Sequence, residues 1–188
     1  MAIVEAPPRE QTRARYPDSE GYVERDGVRT FYEVYGEGEP TLLLVPPWQI
    51  VHSRIWKMQI PYLARHFRVV AFDLRGNGRS DRPAEAESYS DDECIADAIA
   101  VMDATETQRA VLVGFSYSGK LVLMQAARHP ERALGVVAIG PAVPLGKPLP
   151  ARSRYGFDEE LDTDEGWAKF NRHYWLRDYP GFVEFFIT

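Results

Sequence analysis

The sequence has only one cysteine, Cys94, among its 188 residues, so no disulfide can form within the chain. Nothing in the sequence therefore points to an oxidising compartment. No apolar run approaches the ~20 residues that a membrane-spanning helix requires. The first ten residues contain no apolar core of signal-peptide length. These absences predict a cytoplasmic protein that does not enter a membrane.

Positive charge is also scarce. Lys and Arg form no cluster, and 28 acidic residues against 22 basic ones give a formal net charge of −6. This balance argues against binding to a nucleic-acid backbone as the main task. No cofactor and no metal ion is expected. The hydrophobic share of 45% is ordinary for a globular protein, and the length suggests one domain with a small appendage.

Residues 111–119 join a short apolar run to a Gly-rich turn with Ser116 at its centre. Residues 120–127 then form a helical pattern that is apolar on nearly every side, which predicts a buried helix. This layout is typical of a nucleophile elbow, in which the helix N-terminus stabilises negative charge that develops near the serine. The alternative is an ordinary strand–helix turn, because Ser118 stands where the elbow pattern has glycine and Gly119 comes one place late.

The rest of the chain alternates strands and helices. Asp26-Gly27 predicts the turn of a hairpin over residues 21–36. Ser90 begins a capping box before a helix, and another helix is predicted through Trp56 and Leu63. Four apolar runs are predicted to be parallel neighbours in one sheet, with the third of them central: 41–45, 68–72, 110–114 and 135–139. The fold class is therefore α/β, a mostly parallel sheet with helices on both faces.

The composition divides the chain into three parts. Residues 1–19 are polar and predict a loose leader. Residues 20–146 carry the alternating strands and helices. Residues 147–188 follow a proline-rich stretch and are acidic and then aromatic, which indicates one or two helices. Those helices lie either over a neighbouring part of the protein or within the core of the same domain, and periodicity does not separate these two interpretations.

Three motifs in this order resemble the α/β-hydrolase superfamily, and in particular its cap-bearing members with a serine nucleophile. They are Gly114-Phe115-Ser116-Tyr117-Ser118-Gly119, the loop from Asp73 to Pro83, and the helix end His129-Pro130-Glu131-Arg132. The resemblance covers residues 21–143, the N-terminal portion of such a protein. It implies that residues 147–188 are the start of a helical cap or lid.

The resemblance implies Ser116 as the catalytic nucleophile and the backbone N–H of Tyr117 as one donor of an oxyanion hole. Pro46 and Pro47 stand where the second donor is expected, and neither has an N–H. The resemblance therefore gives that donor to Trp48, with Gln49 as the alternative. Trp48, Gln49 and Tyr117 are expected to line the substrate pocket. A serine in the elbow disfavours the dehalogenase and epoxide-hydrolase relatives, which have aspartate there.

The acid and histidine of a triad are not found in this sequence. The family places them after the serine, in the order acid and then histidine. None of the histidines matches that place: His52, His66, His129 and His173. The acidic residues between Asp158 and Glu165 indicate an exposed helix start. We therefore expect the front part of a longer serine hydrolase, incomplete, and inactive or weakly active alone.

Two functions stay open from the sequence. The first is a hydrolase that cleaves an ester or related acyl bond of a small-molecule substrate through Ser116. Esterase, lactonase, C–C bond hydrolase and cofactor-free perhydrolase chemistries all stay open under it. The second is a non-catalytic ligand-binding or interaction module on the same fold. No oligomeric state is predicted.

Overall fold

The computed structural model describes residues 14–48, 50–143, 145–146, 150 and 154–187. The chain divides into two compact units, Met1–Val143 and Pro144–Thr188. Most of the predicted leader lies outside the described residues, although the first strand already begins at Ser19. The three-part division of the sequence stays a prediction, and each unit is described by itself below.

In the described residues of the first unit, six strands form one sheet. They are β1 (Ser19–Arg25), β2 (Val28–Tyr35), β3 (Thr41–Val45), β4 (Arg68–Phe72), β5 (Ala110–Phe115) and β6 (Ala133–Ile139). Their order across the sheet is β1-β2-β4-β3-β5-β6. The pairs β3–β4, β3–β5 and β5–β6 are parallel, and the pairs β1–β2 and β2–β4 are antiparallel. The predicted α/β class with a mostly parallel sheet is confirmed.

The hairpin β1–β2 turns at the predicted dipeptide. Asp26 has φ 52° and Gly27 has φ 77°, the positive values that a type I′ turn requires at both central residues. At the other side of the sheet β5 lies between β3 and β6. The strand that leads to Ser116 is therefore not an edge strand.

Where the structure describes the first unit, three α-helices accompany the sheet: α1 (Ile60–Leu63), α2 (Asp91–Ala104) and α3 (Tyr117–Arg128). The Ser90 hydroxyl caps α2 by accepting a hydrogen bond from the Glu93 N–H at 3.3 Å, as the capping box predicts. The single helix predicted through Trp56 and Leu63 is wrong. A 3₁₀ turn, Ser53–Trp56, is followed by the separate α1, because Pro61 lacks an N–H and fits only the first turn of a helix.

Apolar side chains cover both faces of the sheet. On one face Leu43, Val70 and Leu112 pack with Val101 of α2 and Leu121 of α3. On the opposite face the neighbouring strand positions pack with the segment around α1, through Leu42, Leu44, Ala71, Trp56 and Ile60. This alternation is the period of two that a β-strand imposes on its side chains, and the predicted helices on both faces are confirmed.

β6 differs from its prediction as a buried strand. Leu134, Val137 and Ile139 are 49%, 46% and 45% exposed. Among the described strands β6 has a neighbour on one side only. Helix α3 packs on one face of β5 and β6, so Val137 and Ile139 on the other face stay exposed. Leu134 lies at the register shift between the pairs Ala110–Ala133 and Val111–Gly135.

The second unit contains a 3₁₀ turn, Gly166–Lys169, and the helix α4 (Arg172–Ile187). Helix α4 is kinked at Asp178, two residues before Pro180, since proline breaks the helical hydrogen-bond ladder. The buried Phe182 ring lies 4.6 Å from the ring of Trp175 and 5.9 Å from that of Phe170, measured between centroids. The predicted aromatic helices are therefore present, whereas their role as a cap or lid stays a prediction.

In the described parts of the chain, no helix combines the length and the apolar character needed to cross a bilayer.

Candidate active site at the end of β5

Ser116 stands at the junction of β5 and α3 in a backbone conformation that L-residues rarely adopt. Its φ is 57° and its ψ is −117°. The Ser116 N–H donates to the carbonyl of Ile139 at 2.9 Å, and its own carbonyl accepts from the N–H of Ala142 at 2.9 Å. These bonds tie the turn to the end of β6. Strain of this kind persists where the surroundings hold it, and it concentrates at functional sites.

The turn is tight enough to require glycine on both sides of the serine. A Cβ on Gly114 would stand 2.3 Å from the Ser118 carbonyl oxygen, and a Cβ on Gly119 would stand 2.9 Å from Cα of Pro141. Ser118 itself is fully buried, and its hydroxyl donates to the Val45 carbonyl at 2.9 Å. Serine fits at this position because its side chain is directed towards β3. The departure of Ser118 from the elbow pattern was the sequence signal for this contact, although its partner was not predictable.

Tyr117, the first residue of α3, forms a hydrogen bond with Asp91 of α2, and Asp91 also pairs with Lys120. No motif in the sequence predicts either contact. Its hydroxyl donates to Asp91 Oδ1 at 2.8 Å, and the Lys120 ammonium donates to Asp91 Oδ2 at 2.7 Å. Burial alone would raise the pKa of Asp91, but the hydrogen bonds from Lys120 and Tyr117 outweigh it and lower that pKa. The capping box predicted Asp91 at a helix start, not its link to α3.

The backbone of Tyr117 and its ring have different surroundings. The N–H belongs to the first turn of α3, where helix amides point towards the N-terminus and favour negative charge. Ser116 immediately precedes that turn. The ring packs against the core between the sheet and α2. The expectations that the N–H is an oxyanion donor and that the side chain lines the pocket stay predictions.

Trp48 lies in a turn after β3. The Val51 N–H donates to the Trp48 carbonyl at 3.1 Å, and the two residues form an isolated antiparallel bridge. Trp48 is partly exposed, and its oxyanion and pocket roles stay predictions. Gln49, the other predicted pocket residue, lies outside the described residues.

The loop after β4 is fixed by the buried carboxylate of Asp73. It accepts the Ser53 N–H at 2.8 Å and the Arg79 N–H at 2.9 Å. A Cβ on Gly78, which has φ 50°, would stand 2.0 Å from Asp73 Oδ2. The glycine-rich motif from Asp73 to Pro83 therefore holds the loops after β3 and β4 together. Its role here is structural.

The four histidines have contacts of their own. His52 Nδ1 accepts the Arg54 N–H at 3.2 Å, and the ring of His66 lies between Tyr62 and Phe67. His129 Nδ1 lies 3.6 Å from Glu131, and His173 contacts the Asp158 carbonyl within the second unit. Within the described ranges of the chain, none of these histidines forms a hydrogen bond with the Ser116 hydroxyl. The expectation that no histidine of this chain acts as its base stays a prediction.

Acidic residues 158, 159, 160, 162, 164 and 165 are exposed, as expected from the sequence. The predicted helix start is not found among them, because the 3₁₀ turn begins only at Gly166. Asp164 pairs with Arg177, and Asp158 lies 3.6 Å from Arg172. Among the residues with described positions, no group of three or more His, Cys, Asp and Glu side chains is arranged to hold a metal ion.

The comparison with protein families matches residues 40–185 to the model of the alpha/beta hydrolase fold. The 2-hydroxymuconate semialdehyde hydrolase of Pseudomonas sp. (strain CF600) is 38% identical over 122 residues, which are 62% of this chain and 41% of that protein. Epoxide hydrolase A of Mycobacterium tuberculosis (strain ATCC 25618 / H37Rv) is 34% identical over 145 residues, 73% of this chain and 44% of that protein.

Solved structures agree with this match. The structure of Est816, described as an N-acyl homoserine lactone degrading enzyme, has a TM-score of 0.64 and 30% identity. The alignment covers 87% of this chain and 54% of that one. The chain spans less than half the length of the two curated relatives named above. The family match nevertheless extends over most of the chain, and the chain belongs to the alpha/beta hydrolase fold family.

Proposed function

We propose that this chain carries the nucleophile half of a serine hydrolase that cleaves an ester or related acyl bond. The observation that carries the proposal is Ser116 at φ 57°, between β5 and the N-terminus of α3. That conformation lifts the side chain out of the strand, and the first helical turn favours negative charge beside it. A serine in an ordinary strand–helix turn needs no such strain.

In the proposed reaction, Ser116 Oγ attacks the acyl carbon while a base takes the hydroxyl proton. The carbonyl oxygen becomes an oxyanion, which the N–H groups of Tyr117 and Trp48 stabilise by hydrogen bonds. The base then returns the proton to the leaving oxygen, the intermediate expels the alcohol, and an acyl ester remains on Ser116. Water hydrolyses that ester, releases the acid and restores the hydroxyl.

The names of the relatives support a small-molecule substrate. They include a semialdehyde hydrolase, an epoxide hydrolase and an enzyme that degrades an N-acyl homoserine lactone. Because the elbow residue here is serine, and the epoxide-hydrolase pattern has aspartate, we assign acyl rather than epoxide chemistry. A lactone is an internal ester, so it falls within the proposed substrate class.

We further propose that the base and the acid are not supplied by these 188 residues. Two observations support this. In the described residues the histidines contact groups other than the Ser116 hydroxyl, and the chain spans less than half the length of the named curated relatives. An unassisted serine hydroxyl is a poor nucleophile near neutral pH. The chain alone should therefore acylate slowly and deacylate more slowly still.

The test is incubation of the chain with p-nitrophenyl acetate, followed by measurement of p-nitrophenolate and by peptide mass spectrometry. We expect a slow burst approaching one equivalent, acetyl groups on the peptide that contains Ser116, and no sustained turnover. Ser116→Ala should lose the acetylated peptide. In the complete enzyme the same change should lower kcat by a factor on the order of 10⁴ to 10⁶.

Ser80→Ala is the matched control, because it removes a buried serine hydroxyl that bonds Phe31 and Asp73 instead of the elbow. It should acetylate like the unchanged chain. Equal acetylation of the Ser116→Ala variant, or acetyl groups only on other residues, would remove Ser116 from the mechanism. Sustained turnover by the 188 residues would overturn the proposal that the base lies elsewhere.

A further inference from the structure

The backbone hydrogen bonds between β3 and β5 end just before the segment that contains Trp48, the predicted second oxyanion donor. Val45, the last residue of β3, pairs with Gly114 of β5. The next two residues, Pro46 and Pro47, have no N–H to donate. The backbone that leads to Trp48 therefore cannot continue the ladder with donors of its own.

The Ser118 hydroxyl lies beside Val45, at the end of the pairing between β3 and β5. Its oxygen lies 2.9 Å from the Val45 carbonyl oxygen and 3.0 Å from the Phe115 carbonyl oxygen, and it accepts the Phe115 N–H at 2.9 Å. The side chain is 0% exposed. The Trp56 Nε1–H also donates to the Val45 carbonyl, at the longer distance of 3.3 Å. Ser118 thus makes the shorter contact at the exit of β3.

We propose that Ser118 is a positioning residue, whose hydroxyl holds the Pro46–Pro47–Trp48 segment against the first turn of α3. Ser118 directly follows Tyr117, and Val45 stands three residues before Trp48, so one hydroxyl links the two segments that carry the predicted oxyanion donors. The catalytic meaning of this link rests on the proposed function. A glycine at 118 provides no such link, and the two prolines limit how far the segment can adjust by itself.

Ser80 offers a matched control for this proposal. It is also buried, its oxygen accepts a strand N–H from Phe31 at 2.9 Å, and its hydroxyl donates to the Asp73 carbonyl at 2.7 Å. Ser80→Ala and Ser118→Ala therefore each remove one hydroxyl with the same pattern of acceptor and donor. A purely structural effect should be similar in the two variants. A positioning effect should appear only in Ser118→Ala.

The first measurement is amide hydrogen exchange by NMR, and it needs no catalytic activity. In Ser118→Ala we expect the amides of Trp48, Val51 and Tyr117 to exchange about tenfold faster than in the unchanged chain, because local opening of this segment becomes easier. In Ser80→Ala these three amides should exchange as in the unchanged chain. Equal exchange in the unchanged chain and Ser118→Ala would overturn the proposal.

The second measurement is the rate of Ser116 acetylation as a function of p-nitrophenyl acetate concentration. Ser118→Ala should lower the maximal rate about 10- to 100-fold, the scale expected when catalytic groups are displaced by about 1 Å. The half-saturating concentration should stay unchanged, because the ground-state contacts of the ester do not involve Ser118. Ser80→Ala should change neither value more than twofold.

Ser118→Cys keeps the side-chain volume nearly intact and replaces the hydroxyl with a weak donor. It should fall between the unchanged chain and Ser118→Ala in both measurements, and it serves if the alanine variant does not fold. Acetylation of Ser118→Ala at the normal rate would overturn the positioning role. If the unchanged chain is not acetylated at all, the proposed function fails, and the exchange rates alone then support or overturn the link made by Ser118.

Discussion

The two edges of the sheet are held by different forces. At the hairpin edge, buried charges connect β1 to α2: Arg25 and Arg75 both donate to Asp97, which is 1% exposed. At the opposite edge, β6 is held by backbone pairing to β5 and by apolar contact with α3, while Val137 and Ile139 are 46% and 45% exposed. The first edge carries specific charge pairs, and the second carries a partly exposed apolar face.

This difference sets how each edge responds to substitution. A buried charge pair leaves an uncompensated charge when one partner is removed, so the loss is large and depends on geometry. An apolar contact is lost in proportion to the area that it buries. Removing one buried charge at the hairpin edge should therefore cause a large loss of unfolding free energy. A substitution in β6 should cause a smaller loss, whose size depends on the face of the strand that the side chain occupies.

The largest effect is expected for Asp97→Ala. Asp97 accepts two hydrogen bonds from Arg75, at 2.6 and 2.7 Å, and one from Arg25 at 3.0 Å. The variant leaves the buried Arg75 guanidinium with the Glu93 carboxylate, which lies 3.2 Å away and is 37% exposed. Loss of the buried partner should therefore cost about 3 kcal/mol of unfolding free energy. Urea denaturation of the unchanged chain and the variant measures this loss.

The matched control is Asp103→Ala on the same helix. Asp103 accepts from Arg132 at 2.6 Å, but its side chain is 63% exposed, and such surface pairs contribute about 0–1 kcal/mol. Similar losses in the two variants would contradict the distinction between a buried and an exposed charge pair on α2.

A smaller effect is expected within β6, where two adjacent valines occupy opposite faces. Val136 packs against the core with α3, whereas Val137 is exposed. Val136→Ala removes two partly buried methyl groups and should cost about 1–2 kcal/mol, at about 0.8 kcal/mol for each buried group. Val137→Ala should stay within about 0.5 kcal/mol.

Thermal or urea unfolding of both valine variants makes the comparison. Each removes the same atoms from the same strand, so differences in strand propensity cancel. A loss at Val137 equal to the loss at Val136 would mean that the exposed face of β6 is covered in solution, and the contrast between the two edges would then disappear.

The parts of the fold that the sequence predicted are those with local signals. Asp26-Gly27 fixed the hairpin turn, Ser90 fixed the start of α2, and apolar runs located the four parallel strands. The turn at Ser116 followed from its flanking glycines. These signals depend on neighbours in the chain, where backbone sterics and hydrogen bonding decide the outcome.

The parts that were missed depend on neighbours distant in the chain. Leu123 belongs to a helix predicted to be buried, yet it is 40% exposed, and an apolar run does not reveal which face lacks a covering element. The bond from Ser118 to Val45 spans 73 positions, and the one from Lys120 to Asp91 spans 29. Such contacts follow from strand order and helix placement, which no local pattern contains.

The smallest effect is expected for a substitution of Asp91. The Asp91 carboxylate on α2 accepts hydrogen bonds from Tyr117 and Lys120 of α3 and so links the two helices. The pKa of Asp91 is lowered in the folded chain, because the bonds from Lys120 and Tyr117 outweigh the opposing effect of burial. Its carboxylate therefore stabilises the fold at pH values above about 3.9, which is the ordinary pKa of an aspartate. That contribution is lost as the pH falls through the lowered pKa.

Asp91→Asn should accordingly lower the unfolding free energy by at most about 1 kcal/mol at pH 7. The gap to the unchanged chain should narrow as the pH falls through the lowered pKa of Asp91, because the native carboxyl then becomes neutral as well. Asp92→Asn is the control, since Asp92 shares the first turn of α2 but is 74% exposed and forms an exposed pair with Arg128 of α3. Both variants lose a negative charge at the helix N-terminus and one contact with α3. A larger, pH-dependent loss at Asp91 therefore measures what its half-buried contact with Tyr117 and Lys120 adds beyond an exposed pair. A gap that stays constant from pH 7 to about pH 2 would show that the Asp91 charge does not stabilise this link.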